Sequence, residues 1–124
     1  MGSEMCIRDR ANSWQRVASM PRGLMNHAAA AMGGKIYVTG GSNGGSLNSV
    51  YVYDPQSDAW TQLASMGTAR RNHASAAVDG KLYVFGGFDA GLLSTAEIYD
   101  PASDSWAQGP SLTSARQYLV AAAL

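Results

Sequence analysis

The chain has little of what several protein classes require. It contains one cysteine, Cys6, so no disulfide can form within it. Its apolar runs are too short to cross a bilayer, which predicts a soluble protein without membrane insertion. Nine acidic and nine basic residues cancel, which gives no electrostatic basis for binding nucleic acid. No segment carries a sustained helical period, so short strands are expected instead.

The first ten residues, MGSEMCIRDR, match no later part of the chain and lack the apolar core of a signal peptide. They resemble the translation of a transposon-end adapter used to build sequencing libraries. We therefore predict that residues 1–10 are not native and that Cys6 has no chemical role. The gene is then expected to continue upstream of Ala11, which leaves the localisation of the protein unknown.

A repeat occupies the rest of the chain. Trp14, Trp60 and Trp106 are spaced by 46 residues, and the same interval relates IYVTGG to LYVFGG and YDPQSDAW to YDPASDSW. No gap is needed to keep this register from Trp14 to Leu124. Self-similarity at such an interval is the signature of a repeat architecture.

Each unit predicts four short strands. An Ala-rich strand is joined to KIYVT or KLYVF by Gly33-Gly34 or Asp79-Gly80, which are signals for a two-residue type I′ hairpin. A third strand, SVYVY or TAEIY, ends in an Asp-Pro-x-Ser turn, and the fourth strand begins at the tryptophan. One such sheet cannot bury both of its faces, so radial stacking into a β-propeller is expected.

A double glycine after an apolar strand, then a tyrosine and a tryptophan, resembles the kelch repeat. The predicted structural residues are Gly40, Gly41, Tyr53 and Trp60 in one unit, Gly86, Gly87, Tyr99 and Trp106 in the next, and Trp14 before them. The resemblance implies an all-β fold, a fragment of a kelch-type β-propeller with four-stranded antiparallel blades. About two full blades are expected, with a partial blade at each end.

The predicted divisions follow the repeat. Residues 1–10 are the adapter-derived segment, 11–19 the last strand of a truncated blade, 20–65 and 66–111 two kelch repeats, and 112–124 the first strand of a further blade. The fold is then expected to require further blades of the same propeller as partners.

Catalytic and metal-binding residues are not predicted. His27 and His73 occupy equivalent positions, but no carboxylate or cysteine accompanies them at metal-ligand spacing. The aspartates of the two DPxSD segments are interpreted as turn residues. The double glycines lack the Lys-Ser/Thr pair of a phosphate loop. No cofactor is therefore expected.

The resemblance also implies where binding occurs. Kelch propellers bind peptides or proteins on one rim, through the loop before the first strand and the loop between the second and third strands. Carried over by position, the predicted binding residues are Arg70, Arg71, Asn72, Arg116 and Gln117 from the first loop, and Ser42, Asn43, Phe88 and Asp89 from the second. The second loop differs between units while the strands match, as expected for a composite binding surface and equally for drift in unconstrained loops.

The predicted function is an interaction module that binds a protein, peptide or glycan. Two alternatives stay open. One is a fragment of a kelch-propeller enzyme, similar to a copper radical oxidase or a sugar-acid mutarotase, whose catalytic residues lie mostly outside this chain. The other is a structural repeat of a surface adhesin. A copper radical site needs a cysteine, and residues 11–124 contain none, so such a site is not complete in this chain and would need a further blade. A mutarotase needs charged residues at the channel mouth, for which Arg70 and Arg116 are the only hints.

Overall fold

The computed structural model describes residues 5–8, 14–20 and 25–114, and in these ranges all regular secondary structure is β-strand. The strands are β1 (Met5–Arg8), β2 (Trp14–Val17), β3 (Ala28–Met32), β4 (Lys35–Thr39), β5 (Val50–Asp54), β6 (Ala59–Leu63), β7 (Ala74–Val78), β8 (Lys81–Phe85), β9 (Ala96–Asp100) and β10 (Ser105–Gly109). No helix in the described ranges is long and apolar enough to cross a membrane.

Two four-stranded antiparallel meanders form the body of the fold. Strands β3 to β6 make blade 1 and strands β7 to β10 make blade 2, each in sequence order. The register repeats as well, since Tyr53 lies opposite Trp60 and Tyr99 lies opposite Trp106. This is the four-stranded blade that the sequence predicts.

A smaller sheet precedes blade 1. Strand β2 pairs with β1 in antiparallel fashion, with Arg8 opposite Trp14. Strand β1 lies within residues 1–10, for which the sequence predicts an adapter origin, and that origin stays a prediction.

The hairpins between the first and second strands have the geometry that their sequences favour. Gly33 and Gly34 have φ of 59° and 76°, and Asp79 and Gly80 have φ of 51° and 75°. Two successive residues at positive φ define the type I′ turn, whose twist matches that of the flanking strands. Local turn chemistry therefore sets the register of both hairpins.

Apolar side chains pack between the two blades. Tyr37 and Val52 of blade 1 form one buried cluster with Leu82 and Tyr99 of blade 2, and the Tyr37 and Tyr99 rings have centroids 6.2 Å apart. Burial of each such side chain contributes roughly 1.5–3 kcal/mol. The Ala-rich strands β3 and β7 also lie against each other. Each blade thus covers a face that its neighbour cannot bury alone.

A second contact holds each blade to the segment before it. The carboxylate Oδ1 of Asp58 accepts hydrogen bonds from the Tyr53 hydroxyl at 2.6 Å and from the Ala18 N–H at 2.8 Å. The indole Nε1 of Trp60 donates to the Ala18 carbonyl at 2.9 Å. We call this set of tyrosine, aspartate, tryptophan and alanine backbone the outer clamp.

Blade 2 repeats the outer clamp on the end of β6. Asp104 Oδ1 accepts from the Tyr99 hydroxyl at 2.6 Å and from the Ala64 N–H at 3.0 Å, and Trp106 Nε1 donates to the Ala64 carbonyl at 2.8 Å. The Tyr99 hydrogen bond, with that from Ala64, holds the pKa of the Asp104 carboxyl below its ordinary value. The final aspartate of each DPxSD turn therefore also joins neighbouring blades.

The double glycines lie where backbones come close together. A Cβ on Gly40 would overlap the Arg70 carbonyl oxygen and lie 2.9 Å from His73 Cε1, and a Cβ on Gly41 would lie 2.9 Å from His27 Cβ. Both glycines also have positive φ, 58° and 98°. Only glycine meets both conditions without strain.

Candidate functional site

The structure brings together the two loops that the sequence assigns to binding. In blade 2, Arg71 N–H donates to the Phe88 carbonyl at 3.0 Å and Phe88 N–H donates to the Arg71 carbonyl at 2.9 Å. In blade 1, Met25 and Ser42 exchange the equivalent pair of bonds at 3.3 and 2.8 Å. We call the surface formed by residues 25–27, 42–48, 71–72 and 88–94 the rim.

Hydrogen bonds also join the rim across the two blades. The Asn72 N–H donates to the Asn26 carbonyl at 2.9 Å, and the Ser46 hydroxyl donates to the Phe88 carbonyl at 3.2 Å. Asn26 and Asn72 have φ of 58° and 54°, a conformation that asparagine tolerates better than most residues. The loops of two blades thus form one continuous surface.

The rim exposes apolar side chains. Met25 is 48% exposed and Leu92 is 52% exposed, while Val78 at 39% lies in the β7–β8 hairpin, away from the rim. The guanidinium carbon of Arg71 lies 5.0 Å from the centroid of the Phe88 ring, which is within the range of a cation–π contact. Exposed apolar groups gathered on one surface commonly mark an interaction site.

Polar groups on the rim occupy equivalent positions in the two blades. Asn43 and Asp89 are both exposed, and each follows a residue whose backbone bridges to the preceding loop. The Asn43 N–H donates to the Gly45 carbonyl at 3.2 Å, and the Asp89 N–H donates to the Gly91 carbonyl at 3.1 Å. The loop backbone therefore repeats although the side chains differ. Ser42, by contrast, is only 6% exposed.

Arg70, predicted as a binding residue, points into the protein. Its side chain is completely buried. One guanidinium nitrogen donates to the Gly86 and Thr95 carbonyls at 2.8 and 3.0 Å, and the other donates to Glu97 Oε2 at 2.8 Å. An arginine whose donors are used in this way is not available to a ligand. Arg70 is therefore corrected from a rim residue to a residue that holds the entry of blade 2.

Glu97, the partner of Arg70, was not identified from the sequence. Its carboxylate also accepts from the Gly67 N–H at 2.6 Å and the Thr68 N–H at 3.2 Å. A signal for this network was present in the repeat. One interval of 46 residues earlier, Arg70, Glu97 and Gly67 are replaced by Leu24, Tyr51 and Pro21. In that earlier unit the ion pair is replaced by uncharged residues, and the glycine that donates its N–H is replaced by a proline, which has none. The members of the network therefore change together.

The two histidines have different surroundings. His27 is exposed, whereas His73 is buried and its Nε2 lies 2.8 Å from the Thr39 hydroxyl. Burial, followed by the charge of Arg70, lowers the pKa of His73 to about 3, so its ring is neutral at physiological pH. Among the described residues, no group of three or more His, Cys, Asp or Glu side chains could hold a metal ion.

Two predicted binding residues, Arg116 and Gln117, lie outside the described residues. Met25 and Leu92 were not predicted, because a methionine or leucine next to a strand gives no sequence signal for exposure. Of the predicted binding residues, Asn43, Arg71, Asn72, Phe88, Asp89 and the buried Ser42 lie on the rim, together with these two apolar side chains.

A family model described as the KLHDC2/KLHL20/DRC7 Kelch-repeats domain matches residues 5–119 of the chain. The match covers both blades and begins within residues 1–10. A search of the curated proteins finds no match to the chain.

Proposed function

The chain belongs to the kelch-repeat family, and on that premise we propose that the rim of blades 1 and 2 binds a partner protein or peptide. Kelch-repeat domains are propeller modules that generally mediate protein interactions. The finer assignment, to this rim and these residues, rests on the geometry of the two loops in each blade.

One observation carries the proposal. Two of the three large apolar side chains that are most exposed in the described residues, Met25 and Leu92, lie on the rim, where Arg71 also stacks on Phe88. Exposed Met, Phe and Arg are enriched at protein interfaces relative to the rest of a protein surface. Removal of these apolar groups from water would favour association.

The rim backbone is also ordered before any partner arrives. Paired hydrogen bonds hold Arg71 to Phe88 and Met25 to Ser42, and single bonds link the two blades. A surface that is already organised loses less conformational entropy on binding. Side chains can therefore vary on this frame without reorganising it, which suits a recognition surface.

The side chains favour a polypeptide over a glycan. The Arg71 guanidinium already lies over the Phe88 ring, so that face of the ring is not free to stack on a sugar. Arg71 offers hydrogen-bond donors to a carboxylate or carbonyl group, and Met25 and Leu92 offer apolar contacts. Asp89 and Asn43, both exposed, supply the polar edge of the surface. By position, Arg116 and Gln117 extend the proposed surface to the next unit.

The test compares apolar variants at the two ends of the blades. The intact protein is used to isolate its partner, and the dissociation constant is then measured for Met25→Ser, Leu92→Ser and the control Val78→Ser. Each rim variant is expected to weaken binding about tenfold, which corresponds to about 1.4 kcal/mol. The control removes an exposed apolar group of similar kind at the opposite end and should bind as the wild type does. Equal weakening by Val78→Ser, or unchanged binding by both rim variants, would rule out this rim.

A further inference from the structure

Asn43 is followed directly by a glycine at the most exposed part of the β4–β5 loop. Both Asn43 and Gly44 are exposed. Gly44 has a φ of 87°, and no atom lies within 4 Å of the place where a Cβ would stand. Gly44 itself carries no side chain that would hinder approach of the Asn43 side chain to its backbone nitrogen.

We propose that Asn43 is a deamidation site, at which the side-chain amide is converted spontaneously to a carboxylate. The Gly44 backbone nitrogen attacks Cγ of Asn43, and a bond forms between these two atoms. The bond from Cγ to Nδ2 breaks, and ammonia leaves with the proton that the Gly44 nitrogen gives up. Water then opens the resulting five-membered imide. Attack at one carbonyl gives aspartate, and attack at the other gives isoaspartate.

The neighbouring blade shows that an aspartate fits this position. Asp89 is the equivalent of Asn43 in blade 2. Its N–H donates to the carbonyl of the second residue after it, Gly91, at 3.1 Å, just as Asn43 donates to Gly45 at 3.2 Å. Conversion of Asn43 to aspartate therefore gives blade 1 the same acidic residue, on the same turn, that blade 2 already carries. The residue after Asp89 is Ala90, whose side chain hinders the same attack there.

The other rim asparagines lack this arrangement. Asn26 and Asn72 are each followed by a histidine, and Asn48 is followed by Ser49. The side-chain nitrogen of Asn48 also donates to the Met66 carbonyl at 3.2 Å, which holds its amide away from the following nitrogen. Conversion is therefore expected at Asn43 alone among these positions, and Asn48 provides an internal control.

Deamidation changes the charge of the rim. Arg71 and Asp89 are the two side chains of the described rim that are charged at neutral pH, and their charges cancel. A carboxylate at position 43 makes the surface negative, and charge-changing modifications act on recognition through this local electrostatics. Isoaspartate has a different effect, because it lengthens the main chain by one carbon inside the turn that bridges Ser42 and Ser46. The modification itself does not depend on the proposed partner.

The experiment follows the intact protein during incubation at mildly alkaline pH, which favours loss of the backbone proton. Peptide mapping by mass spectrometry measures conversion at Asn43 and Asn48, in native buffer and in denaturant. We expect the Asn43 peptide to convert in native buffer while the Asn48 peptide stays intact. An Asn43→Gln variant, whose longer side chain cannot close the same ring readily, should remain unconverted at position 43.

The proposal is overturned if Asn43 converts only in denaturant, because the folded loop would then protect it. Equal conversion of Asn43 and Asn48 in native buffer would also overturn it. An Asn43→Asp variant tests the comparison with Asp89 separately. It should melt at the same temperature as the wild type, and a clear drop would show that blade 1 does not accommodate the acid.

Discussion

The side chains of the outer clamps are the same in both blades, whereas the side chains of the rim differ between them. In the clamps, the hydrogen bond from the tyrosine hydroxyl to the aspartate is 2.6 Å in both blades, and the tryptophan bonds are 2.9 and 2.8 Å. On the rim, SNGGSLN in blade 1 stands where FDAGLLS stands in blade 2. Side chains that recur with the same geometry hold the blades together. Side chains that differ on a recurring backbone are free to serve recognition.

The segment that leads into blade 2 shows a third pattern, because its network of side chains is not repeated in the preceding unit. Arg70, Glu97 and Gly67 form one network in blade 2, and the equivalent positions hold Leu24, Tyr51 and Pro21. The two sets stand at equivalent positions of the sequence repeat and differ in chemistry. Divergence between repeats is therefore not by itself a sign of a binding surface, because the Arg70–Glu97 network diverges although its side chains are largely buried.

The largest loss of unfolding free energy is expected at Gly40, where an added Cβ would overlap a backbone oxygen. Gly40→Val places a branched side chain against the Arg70 carbonyl at a φ of 58°. Backbone strain and overpacking together should cost about 2–6 kcal/mol of unfolding free energy. Gly45→Ala is the matched control, since its Cβ would meet no atom within 4 Å and its φ is not in the positive region. Denaturant unfolding of the intact protein measures both, and equal stability of the two variants would contradict the packing role.

The second-largest loss of unfolding free energy is expected when the network of Arg70, Glu97 and Gly67 is disrupted. Glu97→Ala leaves the buried Arg70 guanidinium without its counter-charge, which should cost about 3 kcal/mol of unfolding free energy. The triple variant Gly67→Pro, Arg70→Leu, Glu97→Tyr copies the residues found 46 positions earlier in the repeat and replaces the ion pair with uncharged side chains. It should be less destabilised than Glu97→Ala, within about 2 kcal/mol of the wild type. A triple variant less stable than Glu97→Ala would show that the two sets are not interchangeable.

Loss of a clamp hydroxyl should have a smaller effect, and the same one in both blades. Tyr53→Phe and Tyr99→Phe each remove one hydrogen bond to an aspartate, which should cost about 1 kcal/mol of unfolding free energy. Tyr83→Phe is the control, because the Tyr83 hydroxyl has no hydrogen-bond partner within the described part of the chain and its ring only stacks on Phe85 at 6.1 Å. Very different costs for Tyr53 and Tyr99 would mean that the two clamps are not equivalent.

The clamps also predict a weak dependence of stability on pH. Hydrogen bonds from Tyr53 and Tyr99 lower the pKa of Asp58 and Asp104 in the folded state. The stabilisation is therefore present above the ordinary pKa of a carboxyl group and is lost as the pH falls through the lowered folded value. At high pH, burial and the Asp58 hydrogen bond raise the pKa of Tyr53 to about 12. That contribution is present below the ordinary tyrosine pKa and disappears as the pH rises through about 12.

Unfolding midpoints across the acid range measure the effect at low pH. The Tyr53→Phe and Tyr99→Phe double variant should show a flatter acid profile than the wild type, because both carboxyl groups lose their main hydrogen bond. An unchanged profile would mean that other carboxyl groups determine acid sensitivity.

The fold could be predicted from the sequence because its determinants are local and repeated. Glycine pairs, Asp-Pro turns and the tryptophan interval of 46 residues each report on a few neighbouring residues, and two copies confirm one another. The positions of the rim loops followed from the same register.

The side chains were harder to predict than the loops that carry them. Arg70 and Arg71 are adjacent, and partners 16 to 27 residues away, Gly86, Thr95 and Glu97, hold only the first of them inside the protein. Asp58 is a turn residue as predicted, but its contact with Ala18 spans 40 residues and gave no local signal in the sequence. The exposure of Met25 and Leu92 depends on the packing of two loops, which no local pattern encodes.

The most direct test uses the adjacent residues Arg70 and Arg71. It asks whether side chains that hold the blades together can be told apart from side chains of the rim. The unfolding free energy of Arg70→Ala and Arg71→Ala is measured in the intact protein under the same conditions. Arg70→Ala should lose about 3 kcal/mol, because it removes a largely buried ion pair and leaves Glu97 without its counter-charge. Arg71→Ala should stay within about 0.5 kcal/mol of the wild type, as a surface substitution does. Equal losses of unfolding free energy, or a greater loss for Arg71→Ala, would contradict the account in which Arg70 holds blade 2 in place and Arg71 belongs to the rim.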